Sequence, residues 1–322
     1  MKIKLLPFLI IILQFILPKI NFGQAPDLGA ASGFALFTST GAFTNLGTTN
    51  IAGDIGTNAG LFTGFPPGVV AGQIHVADAA SVLASTAVQN AYTYMSSLGG
   101  SVLGVTLGNG QELIPGVYNT GAASTLNGDL ILNALGNPNA IFIIRIGGAF
   151  ATAAFSNIIL INAASLCNVY WQIGGQFDLG ANSVFRGTAI VDGAINLLDA
   201  SSLFGRGLSR AGAISTHNNI VSFSPSNSGN ITGTSLVCQG QTGVVYSIPL
   251  ILNATNYLWT IPAGVMIVAG ANTNSITVDF GFTSSSGNFA VNGSNSCGIG
   301  IGSANYPVLV SPLPTTSAIY HQ

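Results

Sequence analysis

The chain has 322 residues, 42 of them Gly, with seven Lys and Arg against nine Asp and Glu and a formal net charge of −2. That balance excludes a nucleic-acid binder, which needs a cationic surface to displace counterions. A content of 48% hydrophobic and 5% charged residues excludes an intrinsically disordered chain. One apolar run, at the N-terminus, approaches the roughly 20 residues of a membrane span, so a polytopic membrane protein is excluded as well. The length allows two domains and ample core.

Residues 1–24 read as a secretory signal. Lys2 and Lys4 form a basic start, 5–17 is an apolar run broken by Pro7 and Gln14, and Gly23 offers a small residue before Gln24. A single membrane anchor is the alternative, disfavoured by the shortness and interruption of the run. Removal of the segment would take all the lysines with it and leave Arg145, Arg186, Arg206 and Arg210 against nine acids. An exported chain would then present hydroxyls, amides and methyls to solvent.

From 76 to 98 there is no Gly or Pro, and Val76, Ala80, Leu83, Ala87, Ala91, Tyr94 and Leu98 recur at helical spacing before the stop at Gly99-Gly100. The pattern predicts one helix of about six turns with a narrow apolar stripe, lying along something flat. The remainder of 25–223 consists of short apolar segments punctuated by Gly, Asn, Ser and Thr. Phe185-Arg186-Gly187-Thr188-Ala189-Ile190 maps onto Leu203-Phe204-Gly205-Arg206-Gly207-Leu208 at an offset of 18. Asp192-Gly193-Ala194-Ile195 maps onto Ala211-Gly212-Ala213-Ile214 at 19, and Ile146-Gly147-Gly148-Ala149-Phe150 onto Ile173-Gly174-Gly175-Gln176-Phe177 at 27. Such offsets predict rungs of a β-solenoid with loop insertions. Phe150, Phe177, Ile195 and Ile214 would point inward. Their neighbours Ala149/Ala151, Gln176/Asp178, Ala194/Asn196 and Ala213/Ser215 would point outward, because strand side chains alternate. A sandwich of Gly-rich strands is the competing architecture.

Residues 224–230 read as a linker. Runs at 244–248, 257–261, 275–280 and 289–291 then predict a small Ig-like β-sandwich over 231–312, with Trp259 in its core, followed by a tail or linker at 313–322. Cys238 and Cys297 share this segment and are expected to close a loop between its sheets, leaving Cys167 as a buried, inert thiol. Without a C-x-x-C pair or a Cys/His cluster, no structural zinc site is expected.

The chain offers little for catalysis. His75 precedes the helix, His217 falls on the last rung and His321 is near the C-terminus. Asp54, Asp129, Asp178, Asp192 and Asp199 are scattered without the paired spacing of glycoside hydrolysis, and no serine sits in G-x-S-x-G. Gly205-Arg206-Gly207 lacks the third glycine and following helix of a dinucleotide site. No enzyme activity, metal or cofactor is therefore expected. A repeating grid of methyls and hydroxyls poor in charge can hold water in an ice-like arrangement, the methyls restricting it and the polar groups anchoring it. The plainer account is that small residues merely pack rungs and keep the chain soluble.

Seven ordered segments bring a family resemblance. They are Leu28-Gly29-Ala30-Ala31-Ser32-Gly33-Phe34-Ala35-Leu36, Asn50-Ile51-Ala52-Gly53-Asp54-Ile55-Gly56, Thr63-Gly64-Phe65-Pro66-Pro67-Gly68, Leu113-Ile114-Pro115-Gly116-Val117-Tyr118, Gly136-Asn137-Pro138-Asn139-Ala140-Ile141-Phe142, Cys167-Asn168-Val169-Tyr170-Trp171-Gln172 and Phe185-Arg186-Gly187-Thr188. Together they cover about 28–221, which resembles the microbial ice-binding protein family of the DUF3494 type. The C-terminal part resembles, less specifically, Ig-like or PKD-like modules of secreted proteins. The resemblance implies a right-handed discontinuous β-solenoid of triangular section with one long helix packed alongside, followed by the Ig-like sandwich.

It also implies an exported monomer that adsorbs to ice through a flat Thr/Ser/Ala/Asn face, and a C-terminal region able to contact a cell surface. Thr40, Ala194, Asn196, Ala213 and Ser215 are the residues it places on that face, with the four arginines off it. Asp178 and His217 depart from an uncharged face. The runner-up is an adhesin using the same scaffold for a polysaccharide or partner protein; a polysaccharide-active enzyme comes third.

Overall fold

The structure, a computed structural model, describes residues 23–313. The expected leader, up to residue 22, and the tail beyond residue 313 lie outside the described residues.

From Phe34 to Ser222 short parallel strands wind around three faces of a β-solenoid. One face is an eight-stranded sheet. The other two belong to a 15-stranded sheet, because Val184–Val191 and Ser202–Ser209 run through a corner without a break. At that corner Gly187 (φ +114°) pairs with Gly205 (φ +151°), and a Cβ on Gly205 would lie 1.8 Å from the Gly187 carbonyl oxygen. Only glycine allows both the dihedral and the approach.

The repeats predict register correctly. Phe185 pairs with Leu203, Ile195 with Ile214, and Phe150 with Phe177, at the offsets found by aligning the chain on itself. The four residues expected to point inward, Phe150, Phe177, Ile195 and Ile214, are fully buried. They join Trp171 and Phe185 in one continuous core, with Phe150 stacked between Trp171 and Phe177 at ring separations of 5.5 and 5.8 Å.

The chain does not climb the solenoid in order. Its first strands stack on its last ones: Phe34–Thr38 pairs with Ser202–Ser209, Phe43–Leu46 with Ile214–His217, and Asn50–Ala52 with Ile220–Ser222. The next rung must therefore begin at the opposite end, and the helix makes the journey. Its 18 residues extend about 27 Å, or five to six strand spacings.

That helix is Ala79–Ser96, shorter than the 76–98 expected, since Val76 ends the strand Ile74–Val76. Asp78 caps it: its carboxylate accepts from the Ser81 amide at 2.8 Å while the Ser81 hydroxyl accepts from the Asp78 amide at 2.9 Å. The buried stripe is Ser81, Ala84, Val88, Ala91 and Met95, whereas Leu83 is 61% and Val76 43% exposed. Periodicity found the helix but the larger side chains misled its phase. Three of the five stripe residues, Ser81, Ala84 and Ala91, are small, which lets the helix lie close on the sheet while Val88 and Met95 fill the space between. The stripe packs on Phe37, Tyr170, Ile190 and Leu208.

The C-terminal unit sets a sheet containing Leu236–Cys238, Tyr306–Ser311, Gly287–Asn295 and Asn256–Thr260 against one of Val244–Ser247, Ser275–Phe280 and Val265–Ala269. Its aromatic centre is Tyr246 on Phe289, with ring centroids 4.2 Å apart. Trp259, expected there, is only partly buried, and its indole N–H donates to the Thr273 carbonyl at 2.9 Å. An edge position lets that N–H reach a loop carbonyl that a central position would deny it.

The expected cysteine pairing is overturned. Cys167 of the solenoid is bonded to Cys297, with Cα atoms 5.4 Å apart, and Cys238 is exposed and free. The bond ties the two units together. Around it, Ser165 and Ser296 hydroxyls meet at 3.0 Å and the Asn295 side-chain amide donates to the Phe223 carbonyl at 3.1 Å. The Arg206 guanidinium lies 3.9 Å from the Phe223 ring centroid and donates to the Ser32 carbonyl at 2.9 Å; burial pulls its pKa down to about 10. Within the expected linker, the Ser226 and Ser228 amides donate to Leu252 and Ile301 carbonyls at 2.9 and 3.1 Å, so this stretch lies against the C-terminal unit.

Candidate functional site

The eight-stranded sheet forms one whole face of the solenoid. In stacking order its strands are Thr106–Gly108, Ser124–Asn127, Phe150–Thr152, Phe177–Leu179, Ile195–Leu197, Ile214–His217, Phe43–Leu46 and Phe62–Thr63. At about 4.8 Å per strand the sheet extends roughly 34 Å. The helix packs on another face, and the C-terminal unit reaches Ser165, Cys167 and Phe223, with the Arg206 guanidinium donating to the Cys297 sulfur at 3.8 Å; none of these residues is on this sheet.

One outward column crosses all eight strands in register: Thr106, Thr125, Ala151, Asp178, Asn196, Ser215, Thr44 and Thr63. Beside it run Ala149, Gln176, Ala194, Ala213 and Ala42, each preceding a core-facing residue. Hydroxyls, amides and methyls thus alternate on a grid of about 4.8 by 7 Å.

Four of the five residues expected on the face lie on this sheet or at its edge: Asn196 and Ser215 in the column, Ala194 and Ala213 beside it. Thr40 does not. It occupies the exposed turn between Phe34–Thr38 and Phe43–Leu46, where its carbonyl accepts from the Gly212 amide at 2.7 Å. The neighbour of Ser215 is Thr44, four residues on. Thr44, Thr63, Thr106 and Thr125 were missed. The signal for Thr44 was present: Ala42-Phe43-Thr44 has the same small–large–polar order as Ala194-Ile195-Asn196 and Ala213-Ile214-Ser215.

Charge is nearly excluded from the face. Arg145 bonds to Gln172 and to the Ser96 and Leu98 carbonyls below the helix, and Arg210 to Gln89 and Asp192 beside it. Arg186 bonds to Asn157 and the Ile158 carbonyl on the third face. All four arginines thus lie off the flat sheet. His217 ends the Ile214–His217 strand and meets Asp199 at 3.2 Å at the edge. Asp178 is the acidic side chain in the column, and its partners are on the surface itself. The Gln176 amide donates to both its oxygens, at 2.7 and 2.8 Å, and the Asn196 amide donates to Oδ1 at 2.7 Å. The Ser215 hydroxyl donates in turn to Asn196 Oδ1 at 2.8 Å.

His75 has a structural post at the helix entry. Its Nδ1 lies 2.7 Å from Asp78, and its Nε2 4.0 Å from Asp54. The Ser81 amide, followed by His75, holds the Asp78 carboxyl below the ordinary carboxylate range. Among the described residues no group of three or more His, Cys, Asp or Glu is placed to hold a metal ion.

Comparison with known proteins agrees with this architecture. The family model for ice-binding-like proteins matches residues 37–222, and that for PKD-like domains matches 224–308. An ice-binding protein of Nostoc sp. (strain HG1) is 35% identical over 199 residues, covering 61% of this chain and 73% of its own length. The crystal structure of an ice-binding protein from the Antarctic ascomycete Antarctomyces psychrotrophicus superposes with a TM-score of 0.59 at 32% identity, over 62% of this chain and 98% of the other. One from an Antarctic Flavobacteriaceae bacterium gives a TM-score of 0.58 at 34% identity, over 68% of this chain and 56% of the other. A three-faced parallel solenoid with its N-terminal rungs closing on its last, a helix laid along one face and a sequence match across the whole solenoid make this chain a member of the ice-binding-like family.

Proposed function

We propose that the protein binds ice, and that it does so through the outward surface of the eight-stranded sheet. The observation that carries this is the in-register column, Thr, Ser, Asn or Ala at every position but Asp178 and flanked mostly by alanines, on the uncovered face of a stiff solenoid. Water held by such hydroxyls and amides and confined by neighbouring methyls matches a lattice only if the side chains keep their places. Short side chains on a hydrogen-bonded sheet do so with little loss of rotamer freedom. Adsorbed molecules pin the growing front and curve the ice between them. The reading needs no catalyst, cofactor or second copy of the chain. The bond between Cys167 and Cys297 and the leader-like N-terminus support an exported protein. The adhesin alternative finds no counterpart among the relatives, which are named ice-binding proteins.

The test is partitioning of the whole secreted chain into growing ice, with a Thr44→Tyr, Ser215→Tyr double variant and, as control, Leu83→Tyr on the exposed side of the helix. The wild type and control should enter the ice and the double variant should stay in the liquid. Exclusion of the folded wild type would refute ice binding; entry of the double variant would refute this face.

A further inference from the structure

A carboxylate on a face proposed to bind ice looks like a defect, since a charge orients water around itself. The hydrogen bonds at Asp178 suggest another role. A carboxylate can only accept, so the Asn196 amide must turn its NH2 toward Asp178, at 2.7 Å. Asn196 Oδ1 then faces the next strand, where the Ser215 hydroxyl is obliged to donate to it at 2.8 Å. On the other side Gln176 spends its NH2 on both Asp178 oxygens. One acceptor-only group thus dictates the orientation of three side chains over three strands. Without it, an Asn or Gln amide can flip, and a serine hydroxyl can rotate, among arrangements of similar energy. Ser215 is two strands from Asp178, about 9.6 Å at ordinary strand spacing, and senses it through Asn196 alone.

We infer that Asp178 is a positioning residue for the flat face: it locks the polar side chains of Gln176, Asn196 and Ser215 into one hydrogen-bond direction, and so presets the pattern of donors and acceptors offered to water. The inference rests on the ice-binding reading and deepens it. Ordering a side chain before contact saves the cost of ordering it on contact, a saving that corresponds to roughly 2- to 10-fold in affinity for one flexible side chain.

The experiment compares ice partitioning and thermal hysteresis for the whole chain, Asp178→Ala, Ser215→Ala and the double variant, with thermal unfolding of each. If Asp178 positions the ladder, Asp178→Ala lowers partitioning at least about twofold with an unchanged unfolding midpoint. The Ser215→Ala loss then shrinks in the Asp178→Ala background, because Ser215 is no longer held. If Asp178 is merely an intruding charge, Asp178→Ala raises activity, and the inference is overturned. Independent, additive losses overturn it too. Should Asp178→Ala lower the unfolding midpoint, Asp178→Asn decides. It keeps the size but has one acceptor oxygen and an NH2 that can exchange places with it, so Gln176 and Asn196 are no longer both obliged to donate and partitioning must fall if the inference holds; wild-type partitioning of Asp178→Asn overturns it. Failure of the wild type itself to enter ice would instead count against the ice-binding reading.

Discussion

Replacing Cys297 by Ser tests how the two units are held. The bridge joins residues 130 apart, and the chain-entropy relation for closing such a loop gives about 5 kcal/mol at 25 °C for an unfolded chain, an upper value because denatured chains retain structure. The polar contacts remaining across the junction are few: the Ser165–Ser296 pair and Asn295 to the Phe223 carbonyl. They leave little to compensate. With a urea slope of about 3 kcal/mol/M, the unfolding midpoint of Cys297→Ser should fall by roughly 1.5 M. The assay is urea unfolding followed by circular dichroism, with and without reductant for the wild type. Reduced wild type should match the variant. Ice partitioning of the folded variant should be unchanged, since neither cysteine is on the flat sheet. Thiol labelling in denaturant should find one reactive site in the oxidised chain, Cys238. A midpoint that moves by less than about 0.3 M, or peptide mapping that joins Cys238 to Cys297, would refute the reasoning.

Two further expectations concern stability. Gly205→Ala should destabilise the solenoid by several kcal/mol, because the new methyl meets the Gly187 carbonyl and the φ of +151° is strained for any L-residue; a urea midpoint equal to wild type would show the corner to be soft. Burial pushes the Tyr246 phenol up to about 12, from an ordinary value of 10. Its contribution is therefore complete below pH 10 and is lost as pH rises from 10 through 12. Tyr246→Phe should flatten that alkaline loss while forfeiting the hydrogen bond to the Thr234 carbonyl; an alkaline profile identical to wild type would dismiss Tyr246 as its source.

What the sequence determined by itself was the repeating part. Parallel strands in register place like residues above like, so self-alignment at 18, 19 and 27 residues recovers which side chains stack and, through strand alternation, which point inward. That is why Phe150, Phe177, Ile195 and Ile214 were placed correctly and Asn196 and Ser215 were found on the opposite side of the same strands. Composition, equally, was enough to anticipate a face nearly free of charge.

Only the tertiary structure decided what joins distant parts of the chain. Thr44 is 171 residues from its neighbour Ser215; the order Ala42-Phe43-Thr44 marks it as a rung residue, but that this rung closes on the last one, and so sets Thr44 rather than Thr40 beside Ser215, is decided by the fold. The helix phase depended on the flatness of the sheet beneath it, which favours Ala84 and Ala91 over Leu83. The partner of Cys297 depended on how the C-terminal unit docks, so nearness in sequence pointed to Cys238 when nearness in space belonged to Cys167. The hydrogen-bond direction around Asp178 likewise emerges only when three successive rungs set Gln176, Asn196 and Ser215 side by side. Local periodicity is set by the backbone and shows in one strand at a time. Closure, docking and side-chain ladders are set by contacts between segments, whose energies no single segment carries.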